Sequence, residues 1–178
     1  QEKRIASGHD ILYLLQDMRE FELYGTVRGI ISFCDCFNYL TDPEDLLQVF
    51  RLVNNYLDPG GLFIFDIHTP AYYQQELGDS TFAECRDHMS FIWENYYDAA
   101  SGINQYLLNL FVEDASGLYR RFEEEHIQRG YELESIRTMI EQAGMIFLHA
   151  YHDLSDQAPT ASSSRIFIVA QECGKKES

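Results

Sequence analysis

The sequence predicts an α/β fold: a parallel strand–helix–strand unit, an antiparallel β insertion, then a closing helix and two strands. Three observations carry this. Residues 27–34 (VRGIISFC) and 62–67 (LFIFDI) are apolar runs on either side of an amphipathic helix, the pattern of parallel strands joined by a right-handed crossover. Residues 81–130 change to longer, aromatic-rich segments broken by turn signals. The chain then returns to helix and strand. On these boundaries residues 1–80 and 131–172 form the core, 81–130 the insertion and 173–178 a solvated tail.

Taken in order, residues 11–15 (ILYLL) form a short apolar run and predict a first buried strand, followed by a polar turn through Glu22. The next strand is 27–34, and Asp35 to Leu40 is an aromatic loop. Asp42 is placed to cap a helix, Pro43 suits its first position, and Glu44 and Asp45 complement the positive end of its dipole. Leu46, Val49, Phe50, Val53 and Leu57 repeat at helical spacing until Asp58-Pro59-Gly60-Gly61 stops the pattern. Strand 62–67 is apolar on both faces and predicts cover on both sides. The segments MSFIWENYY, QYLLNLFVED and LYRRFEEEHIQR, divided at Ala100-Ser101-Gly102 and Ser116-Gly117, predict an antiparallel meander. Leu133, Ile136, Ile140 and Ala143 mark a second helix with Gly144 at its left-handed cap. Strands 145–151 and 165–171 follow, around a Ser-rich loop.

Charge restricts the partners. With 13 basic and 29 acidic side chains among 178 residues the net charge is −16, a field that repels phosphate backbones and anionic lipid. Neither nucleic acid nor a membrane is an expected partner. No apolar run reaches the roughly 18 residues of a membrane span. The first ten residues lack the apolar centre of a secretion signal, so a cytoplasmic location is expected. Cys34, Cys36, Cys85 and Cys173 show no zinc or disulfide spacing and are expected as reduced, mostly buried thiols.

Parallel sheets bind ligands at the carboxyl ends of their strands. Asp17, Asp35 and Asp66-Ile67-His68 each follow a strand, and aligned they would form an acidic rim suited to a cation. Candidates for a general base are His68, at that rim, and Glu124 with His126, which alternate along a strand and share a face. Arg129, near the end of the same ribbon, could pair with Glu124 or hold an acidic substrate. His149 and His152 lie three apart on a strand, face opposite sides and do not suit a shared metal, so no metal is expected. Phe91, Trp93, Tyr96, Tyr97 and Phe111 would either wall a substrate site or pack the meander onto the core.

LYLLQDMREFEL, ISFCDCFNYL, the helix with YLDPGGLFIFDIHTP, and the closing EQAGM helix with its two strands resemble, in order and spacing, the class I S-adenosylmethionine-dependent methyltransferases. FEEEHIQRGY resembles the end of the substrate-side insertion of the small, stand-alone bacterial type. The resemblance runs from about residue 8 to residue 171. It implies a Rossmann-like sheet with an antiparallel β insertion, S-adenosylmethionine as cofactor, and methyl transfer to a small-molecule acceptor by in-line displacement. Position by position, Asp17 resembles the carboxylate that meets the adenine amino group, and Met18 its neighbour against the ring. Phe33 and Cys34 match the strand end beside the methionine moiety, while Asp35 and Tyr39 match the loop facing the sulfonium and the acceptor.

The departure is at the start. The chain holds 11 glycines and no GxG, so the family's first acidic strand end and glycine loop are not in it. The sheet is expected to be partial, without its first two strands. That predicts weak cofactor binding, and an open edge on strand 27–34 that pairs with residues 11–15 or with a second copy in a homodimer. A non-catalytic α/β binding or assembly module is the alternative. A nicotinamide-dependent oxidoreductase is disfavoured by the placement of the meander and the lack of a Tyr–Lys pair at helical spacing.

Overall fold

The computed structural model describes residues 11–175. Strand β1 (Val27–Ser32) leads through a 3-10 turn (Cys36–Tyr39) into helix α1 (Pro43–Tyr56) and strand β2 (Leu57–His68). A π-helical segment (Tyr72–Leu77) precedes β3 (Thr81–Arg86), β4 (Met89–Asp98), β5 (Ile103–Glu113) and β6 (Tyr119–Arg129). Helix α2 (Leu133–Gln142), β7 (Met145–His152) and β8 (Arg165–Glu172) close the chain. One sheet has the order β1-β2-β8-β7, with β1 and β2 parallel and the rest antiparallel; β3-β4-β5-β6 form a second, antiparallel sheet.

Local chemistry explains most boundaries. The Asp42 side chain accepts the Glu44 N–H at 2.9 Å, capping α1 ahead of Pro43. The helix ends one residue before Leu57, which joins the sheet. β1 stops at Ser32 because Cys34 and Asp35 adopt left-handed backbone, with φ of 65° and 50°, and no ladder continues through that geometry. Gly144, at φ 82°, turns α2 into β7.

The core lies on one face of the first sheet. Leu46, Val49, Phe50 and Val53 of α1 and Ile136 and Ile140 of α2 cover Phe63, Phe65, Ile67, Ile166 and Ile168. Phe37 of the 3-10 turn lies edge-on to Phe50 and Phe65, with ring centroids 5.8 and 5.3 Å away.

Three expectations are corrected. Both helices pack on the same face, so β2 is not covered on both sides by the described residues: Ile31, Leu62 and Ile146 are exposed on the other face. Residues 11–15 form no strand and are exposed; β1 is an edge strand, paired with β2 on one side and with no described strand on the other. An apolar run becomes a strand only with a ladder partner, and this one has none among the described residues. The cysteines are free, but Cys34, Cys85 and Cys173 are exposed and Cys36 is half-buried, because they fall at strand ends, on a hairpin and near the carboxyl end rather than in the core.

The two sheets meet where β2 and β6 end. Asn38, fully buried, donates from Nδ2 to the carbonyls of His68 and Arg129, at 2.8 and 2.7 Å, and accepts the His68 N–H at 2.9 Å. Beside it Gly130 packs so closely that a Cβ there would lie 2.9 Å from the Pro70 backbone. Tyr131 donates its hydroxyl to the Leu40 carbonyl. The loop after β1 is thereby fixed to both sheets.

Candidate functional site

The turn after residue 16 and the 3-10 turn form a hollow of about 420 Å³, lined by Gln16, Asp17, Met18, Arg19, Tyr39, Leu40, Thr41 and Asp45. Asp17, Met18 and Tyr39, separated in sequence, come together here. Asp17 takes hydrogen bonds from the Arg19 backbone N–H, Nε and Nη2 at 2.9, 3.0 and 2.7 Å. These bonds hold its carboxyl at a pKa of about 2, so it is ionised throughout the working range. Arg19 also reaches Asp45 at 3.2 Å and ties the turn to α1.

A second cluster forms where β1 and β2 end. Asp66, fully buried, accepts Arg165 Nε at 2.6 Å and Nη2 at 2.5 Å on Oδ2, and the Asp35 N–H at 3.3 Å on the same oxygen. It braces the left-handed turn of Cys34 and Asp35 from behind, while its Oδ1 has no donor. Cys34 is exposed at that turn, and Phe33 packs edge-on to Phe167 at 5.6 Å. Asp35 accepts Gln128 Nε2 at 2.7 Å, and the buried Tyr73 hydroxyl donates to Gln128 Oε1 at 3.2 Å. A hydroxyl donor on Oε1 leaves Nε2 to face the carboxylate, so the Gln128 amide has one orientation. The expected rim of Asp17, Asp35 and Asp66 therefore takes a different form: Asp66 lies beneath the turn of Asp35 rather than facing a ligand, and Asp17 belongs to the neighbouring hollow, reached through Tyr39.

His68 stacks on Tyr72 at 3.8 Å, donates from Nδ1 to the Ser164 carbonyl at 3.4 Å, and has Nε2 4.0 Å from Asp35 Oδ1. Burial lowers its pKa against the opposing pull of Asp35. The folded state therefore resists a proton that the unfolded chain accepts near pH 6.5. Stability should be fully present above that range and fall as pH drops through it. In urea denaturation from pH 7.5 to 5, His68→Asn should lose less stability than the parent; equal losses would contradict this.

The insertion supplies the third part. Glu124 and His126 do share a face of β6. His126 Nε2 lies 3.3 Å from Glu124 Oε2, and its Nδ1 lies 3.0 Å from the Tyr39 hydroxyl. A carboxylate only accepts, so Nε2 carries the proton and Nδ1 accepts from Tyr39. The Tyr39 oxygen then accepts from the Tyr106 hydroxyl at 3.0 Å. The result is a directed chain from Tyr106 through Tyr39 and His126 to Glu124, with the Tyr106 ring stacked on His126 at 4.5 Å. Glu124 pairs with His126 and not with Arg129, because Arg129 lies five residues along the strand and so on the opposite face. Of the five aromatics, Tyr97 stacks on Tyr73 at 5.9 Å and Trp93 lies 5.6 Å from Tyr106.

Sequence reasoning missed Asn38, Tyr73, Tyr106, Gln128 and Arg165. Gln128 was within reach, since it continues the alternation of Glu124 and His126.

No family model matches the sequence. A protein of Bacillus subtilis (strain 168) named as a methyltransferase, YqeM, is 32% identical over 174 residues, covering 96% of this chain and 69% of that protein. Among solved structures, an S-adenosylmethionine-dependent methyltransferase from Clostridium acetobutylicum is 28% identical with a TM-score of 0.90, covering 97% of this chain and 69% of that one. CalS10, an amino pentose methyltransferase of Micromonospora echinaspora solved with S-adenosylmethionine, shares the fold at 16% identity, with a TM-score of 0.67 over 88% of this chain and 63% of that one.

Proposed function

The chain belongs to the S-adenosylmethionine-dependent methyltransferases, and from that premise we propose that it methylates a small-molecule acceptor bound between the 3-10 turn and the face of the β3–β6 sheet, with His126 as general base. The observation that carries this reading is the double role of Tyr39. Its side chain lines the hollow of Asp17 and Met18, and its hydroxyl donates into the hydrogen-bond chain of His126 and Glu124. One residue thus connects the expected adenosine side to the expected proton-accepting side.

The residues present suit the cofactor. Asp17 offers an ionised carboxylate to an exocyclic amino group, with Met18 beside it for the ring. Asp35 offers a second carboxylate near a sulfonium, and Tyr39 and Tyr106 offer faces that attract a cation. When bound, S-adenosylmethionine supplies an electrophilic methyl group. The chain's own task is to hold the acceptor in line, within about 3–3.5 Å of that methyl, and to take its proton.

Asp17→Ala tests the adenosine half. It should weaken S-adenosylhomocysteine binding by about 1–3 kcal/mol, the cost of leaving a polar group without its partner. Calorimetry on the full chain reads this directly, and an unchanged affinity would remove Asp17 from the site. Arg19→Ala, run beside it, separates loss of the carboxylate from loss of the turn.

A further inference from the structure

We infer that the acceptor is a small-molecule amine, bound as its ammonium ion between the Asp35 carboxylate and the faces of Tyr39 and Tyr106. This names the substrate class of the site proposed above and rests on that reading.

The local charge is negative and fixed. Gln128 occupies Asp35 Oδ2, and its orientation is set by Tyr73; no described side chain donates a hydrogen bond to Oδ1, since His68 Nε2 is 4.0 Å away. Beneath the turn the buried Asp66 is neutralised by Arg165, which leaves Asp35 to set the local charge. Arg165 is spent on Asp66, and burial keeps His68 neutral at neutral pH. Glu124 adds a further carboxylate beyond His126. A carboxylate-bearing acceptor would be repelled here, and an ammonium would be attracted. The ring faces of Tyr39 and Tyr106 add to that attraction.

The proton chemistry points the same way. An ordinary ammonium and an ordinary imidazole differ by roughly 4 pKa units, a gap that a nearby sulfonium narrows. An aliphatic alcohol is a far weaker acid, so the same proton transfer is steeper for it. In the step, the ammonium N–H proton passes to the Tyr39 oxygen as the Tyr39 proton moves to His126 Nδ1. The freed nitrogen lone pair forms the N–CH3 bond. The S–CH3 bond breaks with its electron pair on sulfur, leaving S-adenosylhomocysteine and a methylated ammonium.

Trp93 makes the test simple. It is the chain's one tryptophan, and its ring lies 5.6 Å from Tyr106. Phenethylamine, 2-phenylethanol and phenylacetate share a body and differ in head group, and their binding is read from Trp93 fluorescence on the full chain with S-adenosylhomocysteine present. The amine should bind at least ten-fold tighter than the alcohol, with the acid weakest, and Asp35→Asn should abolish the preference. Equal binding, no binding of any of the three, or a preference for alcohol or acid overturns the inference. Calorimetry with S-adenosylhomocysteine alone reports separately on the methyl-transfer reading. Cofactor binding without amine selectivity sinks only the acceptor class, whereas amine selectivity without cofactor binding sinks the placement of the cofactor.

Discussion

Asn38→Leu should destabilise the protein by about 3 kcal/mol or more, the largest loss expected from any single polar residue. The side chain makes three hydrogen bonds, to the carbonyls of His68 and Arg129 and from the N–H of His68, and is itself buried. A buried backbone group that loses its partner costs about 1–3 kcal/mol. Leucine takes the side-chain partner from the His68 N–H and the Arg129 carbonyl, and leaves the His68 carbonyl the longer bond from the Tyr131 N–H, at 3.4 Å. Asn38→Asp should be as harmful, since a carboxylate turns an acceptor toward carbonyls that need a donor. The damage should also reach the site. Asn38 ties the 3-10 turn that carries Tyr39 to the ends of β2 and β6, so losing it should loosen the bond from Tyr39 to His126. Chemical denaturation measures the first effect, and a loss below about 1 kcal/mol would show that the sheets are held elsewhere. Cofactor binding, measured below the midpoint, reads the second.

That residue also shows what sequence reading reaches. The crossover and its helix were legible because each rests on local signals: Asp42 and Pro43 at the start of α1, one apolar stripe along it, a glycine stop after it. The meander was legible because turn residues divide it evenly. What defeated the reading was long-range. ILYLL has the composition of a strand and lacks, among the described residues, a neighbour to make it one, and periodicity reports which side chains could be buried, not what lies beside them. Asn38 and Gln128 look like ordinary polar residues of a loop and a strand, yet their partners are 91 and 93 positions away. Asp66 was expected at a ligand-facing rim, but Arg165, 99 residues on, draws it under the turn instead. In the candidate site, the pair Glu124 and His126 follows from alternation alone. Its connection to Tyr39 depends on how two sheets meet, which no local pattern encodes.

The second large effect concerns that connection. His126→Ala should lower turnover by about 10²–10⁴-fold, the usual contribution of a positioned general base. The geometry makes a sharper statement than the single variant. Nε2 donates a hydrogen bond to Glu124 and Nδ1 accepts one from Tyr39, so the three residues act as one unit. Removing one member should leave little for the others to contribute. Tyr39→Phe in the His126→Ala background should therefore cost much less than Tyr39→Phe alone, and Glu124→Gln should cost less than His126→Ala, because it loosens the imidazole without deleting it. Release of S-adenosylhomocysteine, followed with whichever acceptor the enzyme methylates, gives all four rates. Additive losses would mean that Tyr39 and His126 serve separate purposes, such as ring contact and acceptor binding. A loss under ten-fold at His126 would mean that the acceptor arrives already deprotonated, leaving alignment to supply the acceleration. Either result would keep the fold's role in holding nucleophile and methyl group in line while taking the proton-transfer role away from β6.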